Sequence, residues 1–139
     1  MAVTPTPVFP QLITSPSVQI LPADTTTLKT LLTPGVNGSL VNRIWVTSTD
    51  SAVKDLQFVV TISAVDYVIG TLTIPASSGF TAAIPTVGVF ESTQFPAMFI
   101  DNQGNKVMRL ASGAVLKVKS LSTVTVAKII SVTCQAGDF

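Results

Sequence analysis

Leu56-Gln57-Phe58-Val59-Val60-Thr61-Ile62-Ser63-Ala64 is the stretch that decides the fold class. Leu56, Phe58, Val60, Ile62 and Ala64 fall on one face, and Gln57, Val59, Thr61 and Ser63 on the other. A two-residue period marks a half-buried β-strand, because successive side chains point to opposite sides of a sheet. Val68, Leu72 and Ile74 share one face of the next strand, and Gly70 between them marks a β-bulge. The link, around Ala64 to Asp66, is short enough for a hairpin.

The pattern extends in both directions. Upstream, Ser39 to Thr49 reads as a strand with Leu40, Ile44 and Val46 on one face and Val41, Arg43 and Trp45 on the other. It follows the turn Pro34-Gly35-Val36-Asn37-Gly38, and Thr27 to Leu32 reads as the strand before that turn. Downstream, Val107 to Leu110 and Ala114 to Lys119 flank the Ser112-Gly113 turn. A last strand is expected from Thr123 to about Gln135, with a bulge or an edge position where Lys128 breaks its apolar face.

Two segments read differently. Residues 1–22 carry Pro5, Pro7, Pro10, Pro16 and Pro22 and form an extended, apolar arm; residues 23–139 form one domain. Residues 75–105 are rich in loops, with a short strand expected at Val87 to Phe90 and a helical turn within Glu91 to Phe99. No long stretch has the apolar period of a helix. About seven to eight short strands at regular spacing predict an all-β, antiparallel β-sandwich, with jelly-roll connections as one arrangement open to it.

Composition narrows the function. The chain has 139 residues, of which 47% are hydrophobic and 11% charged, against about 25% charged in an average domain. Eight Lys or Arg and seven Asp or Glu leave a net charge of +1. So sparse a charge on a free surface implies that much of it is covered by protein in the working state. The near-neutral balance gives no basis for nucleic-acid binding, and Lys117 and Lys119 read as a solvated strand face. The uncharged run from Tyr67 to Phe90 is interrupted by Gly and Pro and reads as strands and a loop, so no membrane span is expected.

Chemistry-bearing residues are few. Without His, neither a Ser-His-Asp nor a Cys-His system can be built, and the commonest metal ligand is missing. Cys134 lies in an apolar strand and reads as a buried thiol. Glu91 could be matched with Asp66 or Asp101 as a glycosidase pair, but nothing in the sequence brings them together. Asp101-Asn102-Gln103-Gly104-Asn105 lacks the spacing of a calcium loop and reads as a polar turn. Trp45 and Tyr67 are the aromatics that a sugar-stacking platform would use. No catalytic residue, metal or cofactor is expected.

The order Leu28-Lys29-Thr30, Pro34-Gly35-Val36-Asn37-Gly38-Ser39 and Val46-Thr47-Ser48-Thr49-Asp50 resembles small proteins from the virion gene clusters of tailed bacteriophages. So do Phe95-Pro96, Asp101-Asn102-Gln103-Gly104, Leu110, Gly113-Ala114-Val115-Leu116-Lys117-Val118 and the closing Ala136-Gly137-Asp138-Phe139. The resemblance runs over residues 28–139 and implies a non-enzymatic virion structural protein, of the capsid decoration or cement type. Such a protein is a β-sandwich that binds the major capsid protein on the outer surface of the shell, as a homo-oligomer (dimer or trimer), after assembly in the host cytoplasm. The arm lies outside the resemblance; Val3, Val8, Phe9 and Ile13 are its expected assembly contacts. The alternatives are a tail-, neck- or fibre-associated virion protein, or a carbohydrate-binding β-sandwich module using Trp45 and Tyr67.

Overall fold

The computed structural model describes residues 10–96 and 98–139. Its strands are β1 (Leu12–Thr14), β2 (Ser17–Ile20), β3 (Lys29–Leu32), β4 (Ser39–Ser48), β5 (Lys54–Ile62), β6 (Val65–Ile74), β7 (Val87–Gly88), β8 (Phe99–Ile100), β9 (Lys106–Leu110), β10 (Val115–Ser120) and β11 (Ile130–Asp138). They form an antiparallel sandwich. The larger sheet runs β1-β11-β4-β9-β8, with β2 also on β11 and β7 also on β4; the smaller runs β3-β10-β5-β6. Phe58, Leu56, Leu72 and Leu116 from the smaller sheet meet Ile44, Ile130 and Val132 from the larger, all fully buried.

The hairpin β5–β6 closes through Ser63 and Ala64, both at positive φ. The register slips between Phe58 and Val59, so that Ile69, beside Gly70, is the extra residue of a bulge on β6. Gly70 has a packing reason as well. A Cβ there would come within 2.8 Å of the Phe95 ring, which stands edge-on to Phe58 with centroids 5.6 Å apart.

The faces of β4 differ from the simple alternation. Gln135 pairs with Arg43, but the next residue, Ala136, pairs with Val41. Asn42 is therefore an inserted residue. It turns both itself and Arg43 outward, and carries Val41 into the core with Ile44 and Val46, leaving Leu40 only half-buried.

Of residues 1–22 the structure describes 10–22, and these lie along the larger sheet. Leu12–Thr14 pair with Asp138–Ala136 and Ser17–Ile20 with Thr133–Ile130, along the free side of β11. Pro16 separates the two strands, because it has no N–H for the ladder; its carbonyl accepts from the Cys134 N–H at 2.9 Å. Ile20 is fully buried. Val3, Val8 and Phe9 lie outside the described residues; Ile13 sits on β1 with its side chain 86% exposed.

Two expected elements are corrected. The final strand begins at Ile130 rather than Thr123, because residues 123–129 are drawn into a loop around Asp50. Lys128 belongs to that loop, donating its N–H to the Thr125 carbonyl, and not to a bulged strand. Within the segment expected to hold a helical turn, residues 91–95 form successive turns instead, pinned by Ser92 N–H to the Val89 carbonyl and Phe95 N–H to the Ser92 carbonyl.

Asp50 is fully buried at the corner from β4 to β5. Its carboxylate accepts from Ala52 N–H (2.9 Å), Thr125 N–H (2.8 Å) and the Thr125 hydroxyl (2.8 Å), with Lys54 Nζ at 3.8 Å. Burial by itself pushes the carboxyl pKa up. The Thr125 and Ala52 N–H groups, the Thr125 hydroxyl and the Lys54 charge outweigh it and hold the group below the usual carboxylate range.

Asp50→Asn should therefore lower unfolding free energy by about 2–3 kcal/mol near neutral pH, since charge-assisted bonds to a buried acceptor are weakened. The depressed pKa makes this contribution complete above the unfolded value, near 4, and lost as pH falls through the folded value. Denaturant titrations from pH 7 down to pH 2 should show a gap between parent and variant that closes in acid. Gly70→Ala should cost about 1–3 kcal/mol through overpacking against Phe95, read as a lower urea midpoint with an unchanged slope.

Candidate functional sites

Two surfaces stand out. The first is apolar and lies on the open side of the sandwich, between β6 and β9. A groove of about 540 Å³ is lined by Val60, Tyr67, Ile69, Met98, Met108 and Leu110, among others. Beside it Ile62, Val65 and Tyr67 are each 46–53% exposed, and Val68, paired with Val59 on the opposite face of the strand, is 58% exposed. A smaller recess shares Arg109 with it, and Asp101 and Val107 with the outer face of the larger sheet, and brings in Phe99 and Ile100, 77% and 67% exposed. The strip therefore continues from β6 across to β8.

The strip coincides with a sheet edge. β6 pairs with β5 on one side only. The C-terminal half of its other side is shielded: Thr73 N–H donates to Gln94 Oε1 at 2.9 Å, and Gln94 Nε2 donates to the Thr73 hydroxyl at 3.2 Å. The N-terminal half, Val65 to Ile69, has no strand beside it among the described residues. It carries one charge, Asp66, and no Lys or Pro of the kind that usually blunts an edge.

The second surface is polar and lies on the outer face of the larger sheet. One groove of about 570 Å³ is lined by Arg43, Trp45, Thr86, Gly88, Glu91 and Gln135. A second, of about 430 Å³, shares Arg43, Glu91 and Gln135 and adds Asn42, Asp101, Asn105 and Lys106. Trp45 is half-buried and pairs with Gly88 across the ladder. A side chain at Gly88 would collide with the Glu91 carboxylate, so this glycine is what lets Glu91 lie over the sheet next to Trp45.

The candidate pairs read from the sequence separate here. Trp45 and Tyr67 line different grooves and cannot form one platform. Glu91 and Asp101 share the polar groove, whereas Asp66 is on β6, accepting from the Thr61 hydroxyl at 2.6 Å. Asp101 serves its own turn, accepting from Asn105 N–H (2.8 Å) and Gln103 N–H (2.9 Å). The Asn105 N–H above all holds its pKa below the usual range, so it is an ionised turn cap. Among the described residues no three His, Cys, Asp or Glu side chains group as metal ligands. Cys134 is buried, and burial pushes its thiol up to about 12.

The sequence reading missed the partnership of Arg43, Glu91 and Gln135. Its one local signal was Gly88, three residues before Glu91. Comparison with protein-family models and with curated proteins finds no match.

The free half of β6 should drive self-association through its apolar edge. Replacing Val65 and Val68 together by Lys should lower the concentration-dependent rise in hydrodynamic radius, with stability changed by no more than about 0.5 kcal/mol, as for exposed sites. Dynamic light scattering beside thermal unfolding checks both.

Proposed function

We propose that this chain is a non-enzymatic structural protein of a tailed-phage particle, of the capsid decoration or cement type. It binds the major capsid protein on the outside of the shell, as a dimer or trimer, and stabilises contacts between capsomers. The observation that carries the reading is the exposed apolar strip from Ile62, Val65 and Tyr67 to Phe99 and Ile100. A strip of this kind, in a chain with so few charges, is suited to being covered by protein. The resemblance of residues 28–139 to small virion proteins supplies the partner.

The mechanism is burial. Each 100 Å² of apolar surface removed from water contributes about 2.5 kcal/mol before the costs of association. Repetition over a lattice then turns modest single contacts into firm retention. Residues 1–9 precede β1 in the sequence, and Val3, Val8 and Phe9 among them are proposed to reach the shell. Deletion of residues 1–22 is the wrong probe of that reach, because it also removes β1, β2 and the buried Ile20. Deletion of 1–9 spares them.

The test is co-sedimentation of purified protein with assembled capsid shells. The parent should pellet with shells in a saturable stoichiometry, and Tyr67→Arg with Val65→Lys should weaken retention at least tenfold while the fold persists by circular dichroism. A stable monomer that never pellets with shells, or a position on the tail in a particle map, overturns the proposal.

A further inference from the structure

The groove on the outer face of the larger sheet meets the apolar strip only at Asp101 and Val107, and the structure-stabilising role above makes no use of its Trp45 end. Several independent features build it. The insertion of Asn42 into β4 aims two consecutive polar side chains, Asn42 and Arg43, to the same side. Bulges commonly re-aim side chains in this way beside binding sites. Gly88 leaves the room in which Glu91 lies beside Trp45. Gln135 faces Arg43 from β11. In a chain with only 15 charges, Arg43, Glu91, Asp101 and Lys106 converge on this one surface beside the only Trp.

The chemistry selects the ligand class. Two cations and two anions line the groove, so a ligand of either charge meets as much repulsion as attraction. Planar side chains (Arg, Glu, Asn, Gln) offer paired donors and acceptors that match vicinal hydroxyl groups. The indole presents a flat apolar face to C–H groups. The two connected volumes, about 570 and 430 Å³, are in the range of small-molecule sites.

We infer that this groove binds a neutral carbohydrate. A pyranose ring lies against the exposed part of Trp45, and its hydroxyls bond to Glu91, Arg43, Gln135 and Asn42. The ligand is uncharged, which separates it from nucleic acid, sulfated glycans and acidic peptides.

Trp45 is the chain's only Trp, so its fluorescence reports the groove directly. Full-length protein is titrated with maltose, cellobiose, lactose and chitobiose, and screened on an array of neutral and sulfated glycans. At least one neutral sugar should produce a saturable change in emission. Affinity should fall about tenfold or more in Glu91→Ala and in Arg43→Ala, each removing a polar bond to the ligand. Tyr67→Ala, in the other groove, should bind as the parent does. If Arg43→Ala fails to fold, Asn42→Ala reads the same groove from an exposed position. The inference is overturned if no neutral glycan binds, if only sulfated glycans bind, or if binding survives the substitutions in the groove. Capsid retention is a separate readout, so failure here leaves the role in the shell to its own test.

Discussion

One buried aspartate, Asp50, ties together three of the crossings between the two sheets. A sandwich needs its chain to pass from layer to layer, and each passage leaves backbone groups without ladder partners. Here the passage from β4 to β5 runs through Asp50, and the passage from β10 to β11 runs through Thr125, whose N–H and hydroxyl Asp50 accepts. The third passage, after β6, is fastened at the same corner, with Ser77 N–H donating to the Asp50 carbonyl and Ser48 N–H to the Ser78 carbonyl. Three connections distant in sequence are thus tied at one point. The cost of burying the charge is met by donors that water would otherwise have supplied. No buried side-chain polar atom among the described residues is left without a partner.

With that end of the sandwich tied by polar bonds, the surface divides into regions of different chemistry. The open side, from β6 to β8, is almost bare of charge. The outer face of the larger sheet gathers charge of both signs around Trp45. Few charges do not make the surface uniform; they make it patchy. The proposed shell contact uses the first region and the proposed sugar site the second, so covering one leaves the Trp45 end of the other available.

Much of the fold was legible because core burial and strand period coincide. Leu56, Phe58 and Val60 are buried as the period requires, with Val59 buried as well beside the bulge, and Val107 to Leu110 stands where the pattern puts it. Legibility stopped where a local rule gave way to a distant partner. Val124 and Val126 look like the start of a strand, yet Thr125 between them is held by Asp50, and Val126 is left 82% exposed. The inserted Asn42 could not be read, since only pairing with Gln135 and Ala136 reveals it. Asp50 looks like any turn aspartate until the loop containing Thr125 closes over it. The polar groove was hidden for the same reason: Arg43, Glu91 and Gln135 are far apart in the chain and meet only through the β4–β11 ladder and the loop after β7.

The sealed Cys134 thiol has a practical corollary. With its pKa near 12 and its sulfur inside the core, almost none of it exists as the reactive thiolate at neutral pH. To a maleimide or a gold cluster, the native molecule is thus nearly a cysteine-free protein, although one cysteine is present. A single thiol placed at an exposed site such as Val126 becomes a unique chemical handle with Cys134 left in place. The core keeps its packing, and the position of every copy on an assembly becomes open to labelling.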